Sequence, residues 1–130
     1  MMTSDPPRLF RLNVEVGDID RAAAFYCELL QLEARPQMGS RIYLNAGPVT
    51  VQVVQAPEPH PAAKALYFAV ADLDAAHARA AALGSLSGDS VHGMPAGQPV
   101  VRPWGERSFY ADDPWGNPLC FVDEGTIYAG

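Results

Sequence analysis

Three polar side chains alternate with three apolar ones in the stretch Arg11-Leu12-Asn13-Val14-Glu15-Val16. Successive side chains of an extended strand point to opposite faces, so Arg11, Asn13 and Glu15 form one row and Leu12, Val14 and Val16 the other. Same-face residues repeat about every 6.6 Å, which makes the polar row roughly 13 Å long, the span of a drug-sized molecule. A guanidinium offers only donors, a carboxylate only acceptors and an amide both. Such a set suits directional recognition of a small molecule. A buried, unpaired Arg11 or Glu15 would be costly, so each must meet a counter-charge, water or a ligand. For Arg11 an internal ion pair and a ligand contact stand equally open, and Glu15 also fits the rim of a site.

Carrying the alternation through the other strands adds Thr50, Gln52 and Val54, then Ala65, Tyr67 and Ala69, then Cys120 and Val122 to the same inner face. Asn13 and Gln52 can orient a guest or satisfy neighbouring backbone. Tyr43, Tyr67, Trp104, Phe109 and Tyr110 are candidates for apolar walls, with core packing the simpler role for Phe109 and Tyr110. Trp104-Gly105-Glu106 sets an indole beside a carboxylate, which suits a planar or cationic guest. The candidate ligand-binding set is therefore Arg11, Asn13, Glu15, Gln52, Tyr67 and Trp104, with no catalytic residue identified. His60 and His77 read as surface residues. His92 would serve as a hydrogen-bond partner or general base only if its loop folds over the site. Cys120 has no evident base to lower its pKa and reads as a small buried filler, and Trp115 as a residue packed over its own turn.

An internal repeat positions these residues. Leu12 to Asp20 returns as Leu66 to Asp74, each copy an alternating strand that runs into Asp-[Ile/Leu]-Asp and then a helix. The first helix carries Ile19, Ala22, Ala23, Tyr26, Leu29 and Leu30 as one apolar stripe and ends near Leu32. The second runs from Asp72 to about Leu83, with Gly84 placed to stop it. A hairpin around Asn45-Ala46-Gly47-Pro48 follows the first helix, and strands near 99–102, 107–111 and 119–122 follow the second. Between them, residues 85–98 read as a long loop. The organisation is one domain over 1–130: module 1 about 8–55, a proline-rich linker 56–64, module 2 about 65–123 and a tail 124–130. Two units side by side would enclose a cleft lined by the faces turned away from the helices.

A chain of 130 residues, 48% of them hydrophobic, buries one sizeable core. A formal charge of -6 and scattered arginines provide no basic stripe for a phosphate backbone, so nucleic acid is not an expected partner. The acidity mildly favours cationic ligands through the long-range field. The start, Met1 to Arg8, has no basic stretch followed by an apolar run, and no segment reaches the roughly 18 apolar residues of a membrane span. Two cysteines, Cys27 and Cys120, make neither a metal pair nor a disulfide framework. A cytoplasmic protein without a membrane partner is the expectation.

The strand, the Asp-[Ile/Leu]-Asp helix start, Phe25-Tyr26 and the run Phe109 to Leu119 with its Asp113-Pro114-Trp115-Gly116-Asn117 turn resemble the vicinal oxygen chelate superfamily of glyoxalases, bleomycin-resistance proteins and extradiol dioxygenases. The resemblance implies an α+β fold of two paired βαβββ modules forming one curved mixed sheet, and a homodimer. In metal-dependent members, a histidine opening the first strand of each module and a donor in each final strand hold the ion. The corresponding residues here are Arg11, Ala65, Gln52 and Cys120. A guanidinium repels a cation and alanine offers nothing, so neither a family-type metal site nor any other cofactor is expected. The chain then resembles the metal-independent bleomycin-resistance branch, binding a small aromatic or amphipathic molecule. A superfamily enzyme (a glyoxalase-like lyase or isomerase, or a dioxygenase) and a non-catalytic association module with a closed cleft are the alternatives.

Overall fold

The computed structural model describes residues 9–128. The expectation drawn from Met1 to Arg8 falls outside them. Module 1 comprises β1 (Arg11–Val16), α1 (Ile19–Leu30), β2 (Arg35–Gln37), β3 (Arg41–Ala46) and β4 (Val49–Gln55); module 2 comprises β5 (Leu66–Val70), α2 (Leu73–Ala82), the short strands β6 (Ser90–Val91), β7 (Met94–Pro95) and β8 (Val100–Val101), then β9 (Arg107–Asp112) and β10 (Pro118–Asp123). The sheets run β1-β4-β3-β2 and β5-β10-β9-β8. In each, the first strand pairs in parallel with the last, which is antiparallel to the strand before it. The register repeats as well: Asn13 faces Gln52 and Gln52 faces Tyr43, while Tyr67 faces Cys120 and Cys120 faces Tyr110. The α+β duplication expected from the sequence is therefore the observed architecture.

Each helix starts where a carboxylate caps it. Asp18 accepts from Arg21 N at 3.0 Å and Asp72 from Ala75 N at 3.0 Å, satisfying backbone donors that have no partner within the helix. Helix α1 stops at Gln31, which takes the left-handed conformation (φ 55°) often left to glycine, and Gly84 (φ 68°) follows α2. Ala22, Phe25, Tyr26 and Leu29 are the buried stripe of α1, and Leu73, Ala76 and Ala80 that of α2. They join Val14, Val16, Ile42, Leu44, Val51 and Val53 of one sheet and Phe109, Ala111, Leu119 and Phe121 of the other in one core. The polar partners of those alternating strand residues are thereby turned away from the helices.

Two local features depart from the sequence reading. Arg35 to Gln37 forms an edge strand although all three residues are exposed. Within 85–98, β6 and β7 make a small hairpin, and Leu86 bridges to Ala111. This segment also changes the environment of His77, whose Nε2 lies 3.1 Å from Gly97 O and whose ring meets Phe109 edge-on, so it is half-buried rather than a surface residue. Among the described residues no helix is long and apolar enough to cross a membrane.

Candidate functional site

The outer face of the β1-β4-β3-β2 sheet is a grid of polar side chains. One row crosses all four strands as Asn13, Gln52, Tyr43 and Arg35. Flanking rows hold Glu15, Val54, Arg41 and Gln37 on one side and Arg11, Thr50 and Asn45 on the other. Gln52 is the buried centre: its Nε2 donates to Asn13 Oδ1 at 2.7 Å, and its Oε1 lies 3.5 Å from Arg41 Nη1. The Arg11 guanidinium sits 5.0 Å from the Tyr43 ring centre and that of Arg35 5.9 Å from it, both within cation–π range. Arg35 also donates to Asn45 Oδ1 at 3.0 Å. Glu15 accepts the His60 backbone N–H at 3.0 Å, which ties the linker to this face.

The equivalent face of module 2 is more apolar. Tyr67 is 61% exposed, and its hydroxyl lies 3.3 Å from that of Tyr110. Burial, followed by the Tyr67 hydrogen bond, raises the Tyr110 phenol above its usual range. Cys120 is fully buried beside Tyr110 and Ser108, and loss of solvation pushes its thiol up to about 11. Arg102, 1% exposed, donates to Ser108 Oγ, Ser108 O and Ala96 O at 3.0–3.3 Å and stacks over Tyr110. Trp104 stands in the next turn, where its Nε1 donates to Glu106 Oε1 at 2.7 Å and its ring meets His92.

The structure thus places Arg11, Asn13 and Gln52 on one sheet face, Asn13 and Gln52 hydrogen-bonded to each other and Arg11 over Tyr43, with Glu15 in an adjoining row, and places Tyr67 and Trp104 on the other module. Arg35 and Arg41 belong to the first face, although only alternation carried through β3 and into its partner strand would have found them. A cavity of about 570 Å³ lies elsewhere. It is bounded by Leu12, Leu29, Val51, Leu66, Phe68 and Phe121, on the helix-facing side of both sheets, and of the six candidate residues only Tyr67 reaches it.

The model of the Glyoxalase/Bleomycin resistance protein/Dioxygenase superfamily matches residues 8–121. The chain belongs to this superfamily. Among solved structures of similar fold, Oxidase ChaP-H2 superposes with a TM-score of 0.75 at 25% identity over 95% of this chain and 97% of its own. Oxidase ChaP-H1 gives 0.77 at 23% over 96% and 100%. Lactoylglutathione lyase from Agrobacterium tumefaciens gives 0.67 at 19% over 98% and 100%. No curated protein matches the chain significantly.

The superfamily fold implies a divalent metal between the modules, and the residues at its four positions do not fit one. Arg11 brings a positive charge, and Ala65 brings no donor. Gln52 spends its amide on Asn13 and faces the Arg41 cation with its oxygen. Cys120 is the one strong donor of the four, and a single thiolate falls well short of the three or four ligands such an ion needs. Among the described residues no three His, Cys, Asp or Glu side chains converge on a point where an ion would sit.

Proposed function

We propose that this superfamily member binds a small aromatic or amphipathic molecule through Arg11, Asn13, Glu15, Gln52, Tyr67 and Trp104, without a family-type metal. The observation that carries this reading is the Arg11, Tyr43, Gln52 and Asn13 arrangement: an exposed guanidinium laid over an aromatic ring beside a hydrogen-bonded amide pair. Aromatic surface with a few convergent polar groups is what small-molecule sites are made of. The β1 and β5 strands each end their sheet, and Leu9, Phe10 and Tyr67 are exposed near them, which supports a homodimer that completes the site. A cytoplasmic setting agrees with two unpaired thiols.

A metal-assisted or metal-free enzyme is the second reading, favoured by the 25% identity to Oxidase ChaP-H2 across nearly the whole chain. Thermal unfolding of chelator-treated protein separates the two. The binding reading expects aromatic compounds to raise the transition, because a ligand of the native state stabilises it. A large shift from zinc, nickel, manganese or ferrous iron alone, reversed by chelator, would overturn it. Light scattering tests the dimer, and a monomer at micromolar concentration would refute it.

A further inference from the structure

We infer that the ligand face of module 1 selects a planar organic anion, an aromatic carboxylate in particular, with Arg35 and Arg41 as its charge-reading residues. The inference rests on the proposed binding function and specifies its ligand class. The chain as a whole is acidic, at -6, yet this one sheet face carries Arg11, Arg35 and Arg41 against the single carboxylate of Glu15. Glu15 makes no ion pair with them: its Oε1 takes the His60 N–H, and the ion pair found among the described residues joins Arg107 to Asp74 on the other module. Two guanidiniums, those of Arg11 and Arg35, share the Tyr43 ring, and Arg41 stands two residues from Tyr43 on the same face; like charges on one face repel, and an anion set among them relieves that repulsion.

Geometry narrows the class. Arg41 has a buried Nε with no partner among the described residues, while its Nη1 reaches only the distant Gln52 oxygen at 3.5 Å. A buried donor without an acceptor is rare in folded proteins, and a planar carboxylate meets the edge of a guanidinium with two parallel hydrogen bonds. Arg11 and Arg35 hold their guanidinium planes near the Tyr43 ring, at 5.0 and 5.9 Å, so a flat aromatic body finds stacking surfaces beside the charge it carries. A polyanion such as nucleic acid is disfavoured because the rest of the acidic surface repels it. Tyr67 and Trp104 on module 2 take no part in this selection.

The test uses full-length protein with 1-naphthoate, its neutral isostere 1-naphthamide and the cation 1-naphthylmethylammonium, followed by calorimetry and thermal unfolding. Naphthoate is expected to bind at least about tenfold more tightly than the amide, and more weakly as salt rises. Arg41→Gln and Arg35→Gln, the latter at an exposed position, should each remove most of that preference; Arg35→Gln guards against a folding defect at the half-buried Arg41. Equal binding of all three compounds, or preference for the cation, would overturn the anion selection and leave the small-molecule reading standing. No binding by any of the three would count against both. If Arg35→Glu changes the oligomeric state and leaves naphthoate affinity untouched, the face is an interface between copies and the inference fails.

Discussion

Tyr26 Oη donates a 2.7 Å hydrogen bond to Asp113 Oδ2, joining the helix of module 1 to the last turn of module 2. Both residues are buried, at 1% and 4% exposure, and Asp113 also accepts from Trp115 N, Asn117 N and Asn117 Nδ2. Asn117 continues the link, donating to Glu15 O and accepting from Ala62 N. The turn is therefore the polar seam between the modules. Tyr26→Phe leaves Asp113 three donors and should cost about 1–2 kcal/mol, whereas Asp113→Ala removes the acceptor of four hydrogen bonds, three of them buried, and should cost about 3 kcal/mol or more. Urea unfolding midpoints check the ranking, and equal costs would show that the carboxylate does not organise the turn.

Stability should fall on the alkaline side in two stages. The Cys120 thiol is held protonated up to about 11, against an ordinary value of 9.0. Above pH 9 the unfolded chain then binds fewer protons than the native one, so the contribution is complete below pH 9 and is lost as pH rises toward 11. The slope from this one group approaches about 1.4 kcal/mol per pH unit. Tyr26 is raised by burial and then by the Asp113 charge, and Tyr110 by burial and then by Tyr67, so the decline continues above pH 10. Denaturant titrations from pH 7 upward should show Cys120→Ser flattening the first stage and Tyr26→Phe the second. An unchanged slope in Cys120→Ser would refute the assignment.

Much of this was legible where a hydrophobic period existed. Val14 and Val16 alternate with Asn13 and Glu15, which is enough to place Asn13 beside Gln52 once β1 and β4 are paired. Asp18 and Asp72 announce their helices because a cap is a local feature. Arg35 to Gln37 has no apolar member to mark a face, so only its pairing with β3 reveals a strand, and with it the cation opposite Tyr43. His77 is covered by Gly97 from a loop distant in sequence, a contact that no local pattern encodes. The net charge is silent on such local arrangement: a sum of -6 over the chain does not reveal that Arg11, Arg35 and Arg41 share one sheet face with the single carboxylate of Glu15.

Gly17 sits at the end of β1 directly beneath Trp115, and a Cβ there would lie 2.6 Å from the indole Nε1. Trp115 is a broad, rigid ring that also lies 5.4 Å from the Arg21 guanidinium, so moving it disturbs that contact as well. Gly17→Ala should displace the indole, cost about 1–3 kcal/mol through overpacking and shift the tryptophan emission to the red as Trp115 meets water. Gly47→Ala is the control, since a Cβ there meets open space and its cost comes only from a positive φ of 65°. Identical emission spectra for wild type and Gly17→Ala would show that the turn adapts without moving the ring.

Arg102 separates charge from shape in a way a single pair of variants can read. Its guanidinium is nearly inaccessible and holds three carbonyl or hydroxyl oxygens from β9 and the preceding segment, Ser108 Oγ, Ser108 O and Ala96 O, while lying over the Tyr110 ring at 5.5 Å. Lysine keeps the charge but replaces a planar fork with a point donor, so Arg102→Lys should orphan at least one of these acceptors and bury a strongly hydrated ammonium. Arg102→Met removes the charge and keeps much of the stem. If the fork matters more than the charge, both variants lose about 2–4 kcal/mol, and Lys is no better than Met. Should Arg102→Lys retain wild-type stability while Arg102→Met unfolds, the charge alone would be holding the segment, and the hydrogen-bond geometry would be incidental.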